Sequence, residues 1–231
     1  MIDWTRIEQF IGYGRLDAPI VFVGMEEGLA DVAALHSDLL RRSQFEQTMD
    51  VKQAHQGIAD GESLFTDSPR RQPTWRVMAD LMLHFDGRKF SSPKERSSAR
   101  RAYRAKRLGR KDGDSMLTEL LPYPHRNTGS WLYGERFSGR EAYTAAILPR
   151  RIKLLDDALS GHSRKAIICY GRGNWPDYKR LFSEVLNWRT IDRFECAEWR
   201  GAKVTLTDHF VSKYFNTDAE LDQLSAVALR D

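Results

Sequence analysis

Two short stretches of the sequence carry side chains that could act on a substrate. In "VFVGMEEG", Glu26 and Glu27 lie between Gly24 and Gly28, directly after an apolar run. Carboxylates can orient a water molecule, and glycine lets the backbone approach a ligand closely. In "LTDHFVSKYFN", a second apolar run ends at His209, whose imidazole can donate a hydrogen bond or move a proton. Both stretches therefore have polar side chains that could act on a substrate at the end of a predicted strand.

Each stretch also has a purely structural interpretation. Glu26 and Glu27 could complement the positive end of the dipole of the following helix. His209 could be an ordinary structural histidine. The choice depends on the fold, because ligands of open parallel sheets bind beyond the carboxyl ends of the strands.

The alternation of apolar runs and amphipathic segments predicts an α/β fold. We expect a single three-layer domain with a central, mostly parallel sheet and helices on both faces. The predicted parallel strands are 18–24, 115–121, 165–171 and 203–208, and 188–199 is a further strand. The predicted helices are 27–47, 73–85, 139–161 (with a possible kink at Pro149), 175–186 and 217–229.

Length and composition favour a cytoplasmic protein of one domain. The chain has 231 residues and no apolar stretch near the roughly 20 residues that a membrane span needs. Its first residues lack the pattern of a signal peptide. The two cysteines are too few for an iron–sulfur cluster, and no Cys-x-x-Cys pair suggests zinc. We expect Cys169 to be buried, no disulfide, and neither metal nor cofactor.

A strongly basic run interrupts the alternating pattern. From residue 88 to 111, eleven of 24 residues are Lys or Arg and only Glu95 is acidic. Such a run attracts polyanions through phosphate contacts and counterion release. The alternative is a solvated, partly disordered loop. We interpret the run as an insertion within one domain that spans 1–231.

The first strand end resembles the first motif of the uracil-DNA glycosylase superfamily. In that motif an apolar strand ends in Gly-x-x-Pro-Gly or Gly-x-x-Pro-Tyr. The single-strand-selective branch carries Gly-Met-Asn-Pro-Gly, which is close to Gly24-Met25-Glu26-Glu27-Gly28. On that register Glu26 takes the position of the water-handling residue, and Glu27 replaces the usual proline.

Two further motifs of the family follow in the expected order. "GESLFTDSPRRQPTWRVMADL" resembles the segment that supplies the base-stacking phenylalanine, which places Phe65 in that role. "DGDSMLTELLPYP" resembles the strand that bears a uracil-reading asparagine, and Glu119 lies nearest that position. A carboxylate there would repel the uracil O4 unless it is protonated or turned away. Three alternatives follow: the register is shifted and Asn127 in "PHRNTG" takes part, the base preference differs from uracil, or the fold is kept without the activity.

The last two matches lie near the end of the chain. "RKAIICYGR" resembles the strand that follows the base-reading strand, and "KVTLTDHFVSKYFNTDAELDQL" resembles the His-Pro-Ser-Pro motif. His209 and Ser212 match that motif in part, and Phe210 replaces its first proline. The resemblance covers residues 17–228 in five motifs.

This resemblance implies a glycosylase that hydrolyses the N-glycosidic bond of uracil in DNA, leaving an abasic site, as in base excision repair. We expect a monomer that acts on uracil-containing DNA, single- or double-stranded, without contact to a membrane. Two alternatives remain open. One is a non-catalytic nucleic-acid-binding protein on the same fold, and the other is an unrelated small-molecule hydrolase or nucleotide-binding α/β protein.

The resemblance and the basic run together assign roles to individual residues. The catalytic candidates are Glu26, Glu27 and His209. The base-binding candidates are Gly24, Met25, Phe65, Glu119 and Asn127. The DNA-binding candidates are Arg100, Arg101, Arg104, Lys106, Arg107, Ser212, Lys213 and Tyr214.

Overall fold

A computed structural model describes residues 1–29, 31–58, 61–66, 68–125, 131–182 and 185–229. The strands are β1 (Gly12–Tyr13), β2 (Ile20–Gly28), β3 (Thr48–Met49), β4 (Ser115–His125), β5 (Ala166–Tyr170), β6 (Arg189–Ile191), β7 (Phe194–Trp199) and β8 (Ala202–Thr207). The α-helices are α1 (Trp4–Gln9), α2 (Leu35–Arg42), α3 (Val51–Ala54), α4 (Pro73–Phe85), α5 (Pro93–Lys106), α6 (Arg140–Ser160), α7 (Trp175–Arg180) and α8 (Asp218–Leu229).

The strands form one mixed, mostly parallel sheet in the order β3-β1-β4-β2-β5-β8-β7-β6. Strand β2 pairs in parallel with β4 and β5, and β5 pairs in parallel with β8. The prediction of four parallel strands in one sheet is therefore confirmed. The predicted single strand over 188–199 is wrong, because that segment is the antiparallel hairpin β6–β7. Asp192, with a φ of 56°, is in the left-handed region and reverses the chain there.

The central strand β2 is buried on both sides. Val21 and Val23 belong to one hydrophobic cluster together with residues of α1, α6 and α7. Ile20 and Phe22 belong to a second cluster with residues of α4, α5 and α8. An uninterrupted apolar run is typical of a parallel strand that buries both faces, which explains the sequence of β2.

Helix α4 has the predicted bounds, and α8 starts one residue after its predicted start. The helix predicted over 27–47 is shorter, because β2 continues to Gly28 and a 3-10 turn at Val32–Ala34 precedes α2. Helix α6 continues through Pro149. Cys169 is buried as predicted, and Cys196 is buried too; both thiols are free. In the described ranges, no helix has the length and apolar character needed to cross a membrane.

Part of the basic run forms helix α5, so the loop interpretation is wrong for that part. Ser92 caps the helix by accepting a hydrogen bond from the Glu95 amide, and Pro93 occupies its first turn. The helix is fixed to α4 by Arg96, whose Nε donates to the buried Asp80 carboxylate at 2.9 Å. The run therefore contains packed as well as exposed cations.

A buried cation on α6 holds β4 and the segment around α1 together. Arg151 is 2% exposed, and its guanidinium donates to the carbonyl oxygens of Glu8, Phe10, Glu119 and Leu120 at 2.8–3.2 Å. Burial lowers the pKa of Arg151 to about 10, which still leaves it charged at neutral pH. One side chain thus satisfies four main-chain acceptors and fixes the backbone of Glu119.

Arg151→Met should destabilise the protein strongly, because four carbonyl groups lose their donor inside the fold. We expect a loss on the order of 3–5 kcal/mol in the free energy of unfolding. The matched control is Arg150→Met, the adjacent position on α6, whose side chain is 66% exposed; its effect should stay within about 0.5 kcal/mol. Urea unfolding measures both, and similar losses for the two variants would contradict the role of Arg151.

Candidate active-site cavity

A small cavity of about 60 Å³ lies beside β2, β4 and the carboxyl end of β5. Its polar lining includes Glu27 of β2, Glu119 of β4 and Tyr170, the last residue of β5, together with Arg42, Thr118 and Arg151. Tyr13 and Trp75 contribute aromatic walls. The cavity has room for a few water molecules. Its position is the one at which parallel α/β sheets commonly bind ligands.

Glu27 is held in this cavity as a carboxylate. Its Oε2 accepts hydrogen bonds from the Tyr13 hydroxyl and from Nη1 of Arg42, each at 2.8 Å. Arg42 is buried and is also bound to Asp38, Nε to Oδ2, at 2.7 Å. Burial by itself would raise the pKa of Glu27, but the charge and hydrogen bond of Arg42 outweigh it and lower the pKa to about 2. Glu27 is therefore ionised at neutral pH.

Glu119 has the opposite protonation state to Glu27. Its Oε1 accepts a hydrogen bond from the Tyr170 hydroxyl at 2.9 Å. Its Oε2 is shielded from solvent and has no hydrogen-bond partner in the described part of the chain. Burial raises the pKa of Glu119 to about 8, with the Tyr170 bond opposing this rise and the charges of Glu27 and Glu26 adding to it. Glu119 is therefore a neutral acid at pH 7.

The two carboxyl groups thus have different protonation states on one cavity. Paired acids whose surroundings move their pKa values apart are a common arrangement for acid–base chemistry. The charged group can stabilise a cation or orient water, and the neutral group can donate a hydrogen bond. This combination makes the cavity the candidate active site.

Gly24 leaves the space beside β2 that the Glu119 carboxyl group occupies. Gly24 pairs with Glu119 across β2 and β4. A methyl group at Gly24 would overlap both Oε2 of Glu119 and the hydroxyl of Tyr170. The absence of a side chain at Gly24 is therefore required for the close approach of these two groups. The next residue, Met25, packs against the cluster that contains Val21.

Glu26, the residue that the resemblance places in the water-handling role, lies away from this cavity. Its Oε2 accepts a hydrogen bond from Nη2 of Arg140, the first residue of α6, at 2.6 Å. The pairing of β2 with β4 is irregular between Glu26 and Gly28. Burial raises the pKa of Glu26, and the Arg140 bond opposes the rise. Of the two adjacent carboxylates, Glu27 is the one that lines the cavity.

Phe65 and His209 do not line the cavity themselves. Each contacts an aromatic residue that does line it, Trp75 for Phe65 and Tyr170 for His209. The Phe65 ring lies 5.9 Å from Trp75, and the His209 ring lies 5.5 Å from Tyr170, measured between centroids. The Nδ1 of His209 accepts from the Val211 amide at 3.3 Å, so Nε2 carries the proton in the neutral ring. Desolvation lowers the pKa of His209, which favours that neutral form.

Several residues of the site were not predicted from the sequence. Tyr170 ends the apolar run of β5, and its position at the end of a predicted strand was the sequence feature that could have indicated it as a site residue. Trp75 stands at the start of a predicted helix without any motif of its own. His55 joins the aromatic group, with its ring 5.8 Å from Phe65 and 5.7 Å from Trp75. Asn127 lies outside the described residues.

The exposed part of helix α5 carries Arg101, Lys106 and, just beyond its end, Arg107. Arg107 also forms an ion pair with Asp114 at 3.2 Å and remains half exposed. Helix α5 contacts the 3-10 turn that contains Phe65. This surface is one part of the basic run that a polyanion can reach, because Arg88, Lys89, Lys94 and Lys111 are exposed as well.

Two other predicted DNA-binding residues have their charges engaged inside the protein, which argues against phosphate contacts. Arg104 is 5% exposed, and its Nη2 donates to the carbonyl oxygens of Pro69 and Arg70. Arg100 is largely buried, and its Nη1 donates to Asp218 of α8 at 3.0 Å. These two positions are four residues apart and lie on the packed side of α5.

The segment after His209 presents a short surface loop. The Ser212 amide donates to the His209 carbonyl at 2.8 Å. Lys213 and Tyr214 are exposed, with the Lys213 Nζ 5.3 Å from the centre of the Tyr214 ring. The Tyr214 carbonyl accepts from Arg193 at 2.7 Å. These predicted DNA-binding residues therefore lie on the same loop as His209.

No protein-family model matches the chain, and no curated protein matches it significantly. Within the described ranges, no three His, Cys, Asp or Glu side chains are grouped so that they could hold a metal ion.

Proposed function

We propose that the protein is a DNA glycosylase that hydrolyses the N-glycosidic bond of uracil and leaves an abasic site for base excision repair. The observation that carries the proposal is the cavity that pairs ionised Glu27 with neutral Glu119. The order of the five sequence motifs supports it. We also propose a three-layer, glycosylase-like architecture, for which the support is the pair of core clusters on either side of β2.

The reaction requires positive charge to be stabilised on the sugar and negative charge on the base. Water adds to C1′, the bond from C1′ to the base nitrogen breaks, its electron pair leaves with the base, and the base takes up the proton that the water loses. In our proposal, ionised Glu27 faces the oxocarbenium-like sugar. Both of its hydrogen bonds are accepted by Oε2, so Oε1 can accept one from the attacking water. Arg42 and Tyr13 hold the carboxylate in place.

His209 is proposed to stabilise the departing base. A neutral imidazole with its proton on Nε2 can donate to a base carbonyl oxygen as that oxygen gains charge. The target base must also leave the DNA stack to reach the cavity. The cavity must widen to admit it, and Phe65 and Trp75, whose rings contact each other at its side, are the groups whose movement would widen it.

The first test is excision of uracil from a single-stranded oligonucleotide with excess enzyme, followed by alkali cleavage of abasic sites. We expect the wild type to generate the cleaved product. His209→Ala should reduce the single-turnover rate by about 10²–10³-fold, because it removes one preorganised donor. The matched control, His162→Ala, changes an exposed histidine beyond the end of α6 and should leave the rate unchanged.

Two results would count against these proposals. Equal rates for His209→Ala and the wild type would contradict the role of His209. A wild type that leaves uracil in place would contradict the glycosylase proposal and favour the non-catalytic nucleic-acid-binding alternative.

DNA binding should depend on the exposed cations of α5. The double variant Arg101→Gln/Lys106→Gln removes two of them, and the slope of log K against log salt concentration for duplex DNA should become shallower by roughly 2. The control is Arg150→Gln/Lys153→Gln, two exposed cations on α6, which packs on the other core cluster. Fluorescence anisotropy at several salt concentrations measures both slopes; equal slopes would show that α5 does not contact phosphates.

A further inference from the structure

We infer that Glu119 acts as a neutral carboxylic acid that donates a hydrogen bond from Oε2 to a carbonyl oxygen of the substrate base. This inference rests on the proposed function and narrows its substrates to bases that present a carbonyl oxygen to this position. Uracil and other deaminated bases carry that oxygen where cytosine and adenine carry an amino group.

The position of the carboxyl group is fixed on three sides. Tyr170 donates to Oε1, and the bare backbone of Gly24 lies against Oε2. The main-chain carbonyl of Glu119 accepts from Nη2 of Arg151 at 2.9 Å. Oε1 therefore has a partner within the fold, whereas Oε2, on a side chain that lines the cavity, has none among the described residues.

The charges around Glu119 favour the neutral acid. Glu27 and Glu26 on β2 are like charges, and the Tyr170 and Tyr178 hydroxyl groups have raised pKa values caused by burial. Arg42 of α2 is the nearby cation, but Glu27 and Asp38 already bind it. The guanidinium of Arg151, from α6, donates to main-chain carbonyl oxygens. A second negative charge at Glu119 would therefore lack a counterion of its own.

The protonation state decides what Glu119 can bind. A neutral carboxyl group has one O–H donor, whereas a carboxylate only accepts. An ionised Glu119 would repel a base carbonyl oxygen and leave it without a partner in the cavity. Excision of uracil should therefore decline as the pH rises through the Glu119 pKa of about 8, and the decline should approach tenfold per pH unit above it.

The test compares the pH profiles of the wild type and Glu119→Gln from pH 6.5 to 9.5. In Glu119→Gln the Tyr170 hydroxyl should bind the amide oxygen, so the amide N–H replaces the carboxyl O–H and does not titrate in this range. Each single-turnover excision rate is expressed relative to the rate of the same protein at pH 6.5. We expect an alkaline decline in the wild type and none in the variant. Groups other than Glu119, and the substrate itself, are the same in both series.

If the wild type and Glu119→Gln are both active and their rates depend on pH in the same way, the inference about Glu119 is overturned and the glycosylase proposal stays intact. If the wild type excises nothing at any pH, the proposed function fails, and binding of free uracil then tests Glu119 separately. Binding of uracil should shift the indole NMR signal of Trp75. The affinity of the protein for uracil should fall at alkaline pH in the wild type but not in Glu119→Gln. Absence of binding, or the same pH dependence in both proteins, would overturn the inference.

Discussion

The ion pair between Arg42 and Glu27 sets the electrostatics of the whole cavity. Arg42 is buried, and it is bound to Glu27 and Asp38 on two sides. A buried charge is stabilised by an opposite charge or by hydrogen bonds, so the acid that binds this cation ionises. Glu119 has no comparable partner and keeps its proton. Because Arg42 binds Glu27 and not Glu119, the first acid is charged and the second is neutral.

The fold holds these two acids in place through its backbone as much as through side chains. The irregular pairing near the end of β2 gives Glu26 and Glu27 different partners, and Gly24 leaves space beside Glu119. Arg151 fixes the main chain of β4 by donating to the carbonyl oxygens of Glu119 and Leu120. The site thus depends on residues of β2, β4, β5, α2 and α6, which only the assembled sheet brings together.

The strands and helices that could be predicted from sequence are those with a strong apolar pattern. The four parallel strands and α4 follow directly from such runs. The hairpin β6–β7 was missed because its two-residue turn, Asp192-Arg193, lacks the glycine that usually follows an aspartate in a tight hairpin turn. The helical part of the basic run was open to two interpretations, because packing by Arg96 and Arg104 decides it, and charge alone does not reveal packing.

The candidate site was predicted in part. Glu27 and Glu119 stand at strand positions that the family resemblance singled out, and the protonation of Glu119 was one of the states considered for it. Tyr13 and Arg42 could not be found in this way, since they reach Glu27 from β1 and α2 across 14 and 15 positions of the chain.

The most direct test of this account is an NMR titration of the glutamate side-chain carboxyl carbons, with Glu27→Gln and Glu119→Gln used to assign the two signals. We predict that Glu119 titrates with a pKa of about 8 and that Glu27 stays ionised down to about pH 2. If both carboxyl groups titrate near the ordinary value of 4.5, the division of the two acids into a charged and a neutral group is wrong.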